Sequence, residues 1–221
     1  VLLWIAHVGR ERNPYFWKTM VFLAVLVVVQ AVMGGLTVIF KLNPFIVVSH
    51  LVLGTVYFQI IALSAIANTV FLRKAELPAV PALFYRVTYC LAAACFLQIA
   101  LGGFVAASGA SLACPDFPLC YGALLPLGYG PSAVVQMTHR GLGLVVLLLA
   151  AWACLLAPKD NASAYGLKRT AHGMFWLIVL QIAAGAGTVL MSVPVHLAVT
   201  HLLLAQIILL KALFLANCQN G

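Results

Sequence analysis

Charge is what this chain has least of. Asp, Glu, Lys and Arg make up 7% of its 221 residues, and only 4 of the residues are acidic. A soluble domain carries about 25% charged residues, so the shortage excludes a chain that folds in water. Hydrophobic residues reach 65% and the mean hydropathy is +1.12, which places the chain in lipid. A spanning helix needs about 20 residues, so six or seven spans is the ceiling for this length. The net charge of +8 is not gathered into a patch. Its Lys and Arg lie scattered between apolar runs, a pattern that orients membrane proteins and argues against nucleic acid as a partner. No cleavable signal is expected either, because Val1–Val8 is too short an apolar run and passes straight into Arg10.

Six apolar stretches are long enough to span, at about 19–40, 45–71, 86–107, 133–157, 170–192 and 194–216. Backbone polar groups in hydrocarbon must be satisfied within the protein. The length of these runs and their lack of alternation predict helices rather than barrel strands. The leading Val1-Leu-Leu-Trp-Ile-Ala6 reads as the last turns of a further helix that begins upstream.

The basic residues alternate by loop. Arg10, Arg12 and Lys18 precede the first full span; Arg73, Lys74 and Arg86 lie between the second and third; Lys159, Lys168 and Arg169 lie between the fourth and fifth. The other loops hold only Lys41, and segment 108–132 has neither Lys nor Arg. By the positive-inside bias the Arg-rich loops are cytoplasmic and 108–132 is outside. An oxidising outer side permits a disulfide between Cys114 and Cys120. The rival is a metal pair, against which stands the lack of a His or a third Cys in that loop. Cys90, Cys95, Cys154 and Cys218 read as packing residues. The Asn161-Ala-Ser163 sequon falls on the inner side and is discounted.

An internal repeat carries the chemistry. Gln30-Ala-Val-Met-Gly34-Gly-Leu-Thr37-Val38 matches Gln181-Ile-Ala-Ala-Gly185-Ala-Gly-Thr188-Val189, and 20 residues after each Gln stands His50 or His201. The offset is 201 − 50 = 181 − 30 = 151. A third copy opens at Gln98-Ile-Ala-Leu-Gly102-Gly-Phe-Val105; its His139 comes later because the Cys loop is inserted. Each unit is thus a hairpin with a Gln-x-x-x-Gly helix going out and a histidine helix returning. Two such hairpins four spans apart run in the same direction, as a parallel repeat does. The glycines by themselves need no more than close helix packing.

Three histidines at equivalent positions are harder to assign to packing, because ionisable residues within spans are costly and tend to mark a site. His50, His139 and His201 each lie a turn or two inside a helix entering from outside, roughly 8–10 Å deep at 1.5 Å per residue. An imidazole pair across a bundle at that depth suits axial ligation of haem iron. Arg140 follows His139 and could pair with a haem propionate or simply snorkel at a helix end. His7, His172 and His196 are expected not to be ligands.

Gly102-Gly-Phe-Val-Ala-Ala-Ser-Gly109-Ala-Ser-Leu-Ala-Cys114-Pro-Asp-Phe-Pro-Leu-Cys120-Tyr-Gly, followed by Gln136-Met-Thr-His139-Arg140, resembles the second half of the haem A synthase family. The resemblance runs through His50 and His201 and so covers essentially the whole chain. It implies two four-helix halves with histidine pairs, and oxidation of the C8 methyl of haem O to the formyl group of haem A for terminal oxidases. It also implies a haem b cofactor on His139 and His201, with Arg140 nearby, and haem O as substrate at His50. Shifting His139 back by the repeat offset gives 139 − 151 = −12, before the chain begins. The first helix, most of the second and the partner of His50 are therefore expected to be missing. The family's Glu-x-x-His-Arg motif would lie in that part, so no catalytic residue is assigned here. Its surviving counterpart, Gln136-x-x-His139-Arg140, has an amide that cannot act as a base.

The expected fold is an all-α integral membrane protein with six full transmembrane helices plus an N-terminal helix stub. It is a parallel pseudo-twofold repeat of four-helix bundles with the first bundle incomplete: residues 1–72 are the rest of the N-terminal half and 73–221 the C-terminal haem-binding half. The expected partners are haem O, haem O synthase, an electron donor and the lipid bilayer. The expected location is a bacterial plasma membrane or the mitochondrial inner membrane, with the Cys loop on the outer side. Two rivals share these features: a bis-His cytochrome that leaves its haem unmodified, and a parallel-repeat transporter using histidines to relay protons.

Overall fold

The computed structural model describes residues 2–9, 11, 13–67, 80–158 and 162–217. These form seven helices: α1 (Leu2–Val8), α2 (Pro14–Ile39), α3 (Pro44–Ala67), α4 (Ala82–Ala107), α5 (Pro131–Leu156), α6 (Ala162–Leu190) and α7 (Val195–Asn217). Six are long and apolar enough to cross a membrane, and no strand occurs among the described residues. The protein is an all-α integral membrane protein. Arg10, Arg12, Arg73, Lys74, Lys159, Asn161 and Cys218, all used in the sequence reading, lie outside the described residues.

The helices begin earlier than hydropathy marks them: at 14 rather than 19, at 82 rather than 86, and at 162 rather than 170. The first turns are polar or aromatic and escape a hydropathy reading, while local chemistry sets the true start. Pro14, Pro44 and Pro131 each stand at the first helical position, where a fixed φ suits the helix and the missing N–H is not needed. Ahead of α2, the Asn13 side chain accepts a hydrogen bond from the Phe16 amide at 3.0 Å, the usual N-cap arrangement.

The chain forms two compact units, 1–73 and 74–221. In the first, α1 and α3 both pack on α2. Ala6, Met20 and Leu23 are buried there beneath Phe16, Trp17, Tyr57, Ile60 and Ile61, with the His7 and Trp17 rings edge to face at 5.2 Å.

In the second unit α4 touches α5 and α7, and α6 touches the same two. The four helices close a ring in which α5 and α7 occupy opposite corners. Fully buried alanines (Ala150, Ala153, Ala171, Ala212 and Ala216) let the backbones approach. Packing is uneven along this bundle. Among the described residues, the buried side chains of α6 stop at Ile178 and those of α7 start at Ile208. On α6 and α7 the buried side chains therefore gather at the end where α6 begins, while α4, α5 and the segment between them are buried at the other end through Val105, Cys114, Cys120, Ala133 and Gln136.

The repeat detected in sequence is also a repeat of backbone shape. Lys41 and Leu42 have φ of 50° and 60°, and Ser192 and Val193, 151 residues on (192 − 41), both have 59°. Leu42 N donates to Thr37 O at 2.7 Å and Val193 N to Thr188 O at 2.6 Å. Lys41 N and Ser192 N donate to Val38 O and Val189 O. Each pair of bonds is the Schellman closure that satisfies the last carbonyls of a helix.

Candidate functional site

Each histidine of the repeat lies against the glycine of its own hairpin. A Cβ built on Gly34 would stand 3.2 Å from His50 Cε1, on Gly102 2.9 Å from His139 Cε1, and on Gly185 2.8 Å from His201 Cε1. Real Cβ atoms essentially never come within 3.0 Å of a neighbour, so any larger residue at Gly102 or Gly185 displaces the ring. The glycines are shelves for imidazoles as well as points of close helix approach.

In two of the three copies the glutamine that opens the motif holds the backbone of the same histidine. Gln30 Nε2 donates to the backbone carbonyl of His50 at 2.9 Å, and Gln98 Nε2 to that of His139, also at 2.9 Å. The residue before each histidine satisfies its hydroxyl locally. Ser49 donates to Phe45 O, Thr138 to Val134 O and Thr200 to His196 O, each at 2.8 Å, the back-bonding expected of hydroxyls in apolar helices.

The polar atoms left over form a pattern. His50, His139 and His201 are half-buried, and the Nδ1 of each has no hydrogen-bond partner; nor does the Oε1 of Gln30, Gln98, Gln136 or Gln181. Buried polar atoms without partners are uncommon and each asks for an explanation. His139 on α5 and His201 on α7 belong to opposite corners of the four-helix ring. His7, His172 and His196 are exposed, and His172 Nδ1 meets its own helix at Lys168 O, 2.8 Å away.

The loop between α4 and α5 is cross-linked within itself and tied to α5. Cys114 and Cys120 form a disulfide with Cα atoms 4.7 Å apart, both sulfurs fully buried against Ala133. The disulfide reading holds and the metal-pair reading falls. Arg140 fastens this loop to α5. Its Nη1 donates to Asp116 O at 2.8 Å, to Pro118 O at 3.2 Å and to Leu119 O, and its Nη2 to Cys114 O at 3.0 Å. The guanidinium also sits 5.5 Å from the Phe117 ring centre. Gln136 Nε2 adds a bond to Ser111 O at 3.1 Å. The Asp116 carboxylate accepts from the Gly122 and Tyr121 amides at 3.0 and 2.7 Å, and those bonds hold it below its ordinary pKa.

Sequence reasoning found the histidines, the glutamines and the cysteines. It missed Gly54 and Gly143, each four residues after a histidine. A Cβ there would stand 2.7 Å from Gln30 Nε2 and 3.3 Å from Gln98 Nε2 respectively. The shared His-x-x-x-Gly spacing was the available signal. The loop carbonyls around Arg140 had none, because backbone acceptors leave no mark in a sequence.

A membrane helical bundle carrying three imidazoles at repeated positions, each seated on a glycine, sets the class of this protein. Residues 1–213 match the cytochrome oxidase assembly protein family, and the chain belongs to that family. Its curated relatives include the haem A synthase of Chelativorans sp. strain BNC1, 39% identical over 138 residues, which cover 56% of this chain and 37% of the relative. That of Halalkalibacterium halodurans is 30% identical, with 86% of this chain and 64% of the relative covered. That of Staphylococcus haemolyticus is 25% identical, with 94% and 69% covered. The chain thus spans between about a third and two thirds of the length of these relatives.

Proposed function

We propose that this chain serves in a haem A synthase, a membrane oxidoreductase that turns the C8 methyl of substrate haem O into the formyl group of haem A. On this reading His139 and His201 hold a resident haem b within residues 74–221, and His50 belongs to the substrate-haem site. The observation that carries it is the set of three imidazoles on glycine shelves, each with an Nδ1 that lacks a protein partner. A haem-ligating imidazole binds iron through one nitrogen and is fixed in orientation by its surroundings, to which the glycine shelves contribute by packing.

Bound haem supplies one-electron chemistry at its iron. The protein's own contributions are orientation and exclusion of water. Gly102 and Gly185 set the ring planes of His139 and His201, and the lipid-embedded bundle keeps the site dry. Arg140 and the disulfide hold the loop over the start of α5. Any propionate contact by Arg140 falls to the donors not already on the loop carbonyls.

Two measurements test this function. Reduced-minus-oxidised spectra of the purified protein should show a low-spin haem b, and haem extracted from cells carrying the full-length gene should include a formyl haem. A b-type spectrum with no formyl haem would leave a bis-His cytochrome instead, and no haem at all would favour the transporter.

We further place the Cys114–Cys120 loop on the outer face of a bacterial plasma membrane or a mitochondrial inner membrane, where an electron donor and haem O synthase would be partners. Lys18, Arg86, Lys168 and Arg169 lie near the starts of α2, α4 and α6, which supports cytoplasmic starts for those helices. A cysteine introduced at Lys168 in a chain lacking the exposed Cys90 should resist membrane-impermeant maleimide in intact cells. Labelling there reverses the topology.

A further inference from the structure

We propose that Gln98 is the positioning residue of the ligand His139, and Gln30 that of His50, whereas the main chain of His201 has no glutamine side chain holding it; this rests on the haem-ligating reading above.

The contact on which the proposal stands is unusual in its acceptor. Gln98 reaches a mid-helix carbonyl, that of the histidine itself, at 2.9 Å. A carbonyl oxygen has two lone pairs, so it can serve its own helix and the glutamine together. The same amide is 3.5 Å from His139 Nε2, at the outer limit for a hydrogen bond, so the backbone contact is the one that holds. An amide reaches a helical carbonyl from the side only where the residue one turn on has no side chain. Gly143 provides that notch for Gln98 and Gly54 for Gln30, since a Cβ would stand 3.3 and 2.7 Å from the two amide nitrogens.

One helix face therefore grips one histidine at two points. On α4, Gln98 holds the main chain of His139 and Gly102, one turn later, carries its ring. On α2, Gln30 and Gly34 do the same for His50. The third copy breaks the rule. The position equivalent to Gly54 is Ala205 (54 + 151), so a methyl fills the notch. Gln181 Oε1 has no partner, and no bond from Gln181 to the His201 carbonyl occurs among the described residues. The two ligands of one haem are thus built differently: a glutamine side chain holds the main chain of His139 and none holds that of His201.

The test uses the haem-loaded full chain in detergent, read by the low-spin signal in electron paramagnetic resonance and by carbon monoxide binding to the ferrous haem. A firmly bis-imidazole iron excludes carbon monoxide, so binding reports a loosened ligand. Gln98→Met keeps the bulk and removes the donor. It should raise the carbon monoxide-reactive fraction several-fold and broaden the low-spin signal, whereas Gln181→Met should leave both at the parent level. Should Gln98→Met fail to accumulate, Gly143→Ala serves in its place, because it crowds the same amide from the other side and should change the signals in the same direction. Equal behaviour of the Gln98 and Gln181 variants, or a parent-like Gln98→Met and Gly143→Ala, overturns the proposal. A parent protein with no low-spin bis-imidazole signal overturns the haem-ligating reading itself, a result separate from either of those.

Discussion

His139→Ala and His201→Ala should each abolish the low-spin haem b spectrum, while His50→Ala should leave it largely intact. The expectation follows from where the three side chains stand. His139 and His201 lie on α5 and α7, opposite corners of one closed four-helix ring. His50 belongs to the other compact unit. Loss of one of two axial imidazoles leaves the iron five-coordinate and high-spin, so the effect is close to all-or-none rather than graded. Visible spectra and haem-to-protein ratios of the three purified variants decide it. Should His50→Ala lose the haem b signal while His201→Ala keeps it, the assignment of the pair to residues 74–221 fails. Loss in all three variants points instead to a fold-wide effect, which thermal unfolding of the haem-free proteins separates from ligation.

Gly185→Ala and Gly102→Ala should be almost as damaging, although each adds a single methyl group. The added Cβ would stand 2.8 or 2.9 Å from the Cε1 of the facing imidazole, well inside carbon–carbon contact at about 3.5–4.0 Å. Either the ring or the helix must move by several tenths of an ångström. Overpacking of this kind costs roughly 1–3 kcal/mol, and sites built from placed ligands tolerate only about 0.5 Å of error. The predicted result is a protein that still inserts and folds but whose haem is partly high-spin and more readily lost. Gly35→Ala is the control, because nothing lies within 4 Å of a Cβ built there. If Gly185→Ala keeps the parent spectrum and haem content, the glycine is a helix-packing residue and not a shelf.

The contrast between those glycines shows how far a sequence can be read. Gly34, Gly102 and Gly185 were visible through the repeat, but as isolated residues each was equally well explained by helix packing. Only the placement of an imidazole over each one gives it a role. Gly54 and Gly143 stood four residues after their histidines in plain sight. Their meaning depended on a glutamine arriving from the neighbouring helix, which no spacing along one helix displays. Arg140 was legible as a charge near the membrane surface. Its engagement with the carbonyls of residues 114, 116, 118 and 119 was not, because those acceptors are common to every residue type.

The sequence by itself determined that the chain is helical and lies in lipid, since hydrocarbon leaves a backbone with so few charges few alternatives. It also determined the hairpin repeat, the three intramembrane histidines at matching positions and the cysteine pair able to bridge, because these are matters of residue type and spacing along one chain. The tertiary structure alone decided which helices stand opposite one another, that an imidazole lies over each repeat glycine, and that Gln30 and Gln98 reach the carbonyls of His50 and His139. Those depend on contacts between residues far apart in the chain, which no spacing along one helix displays.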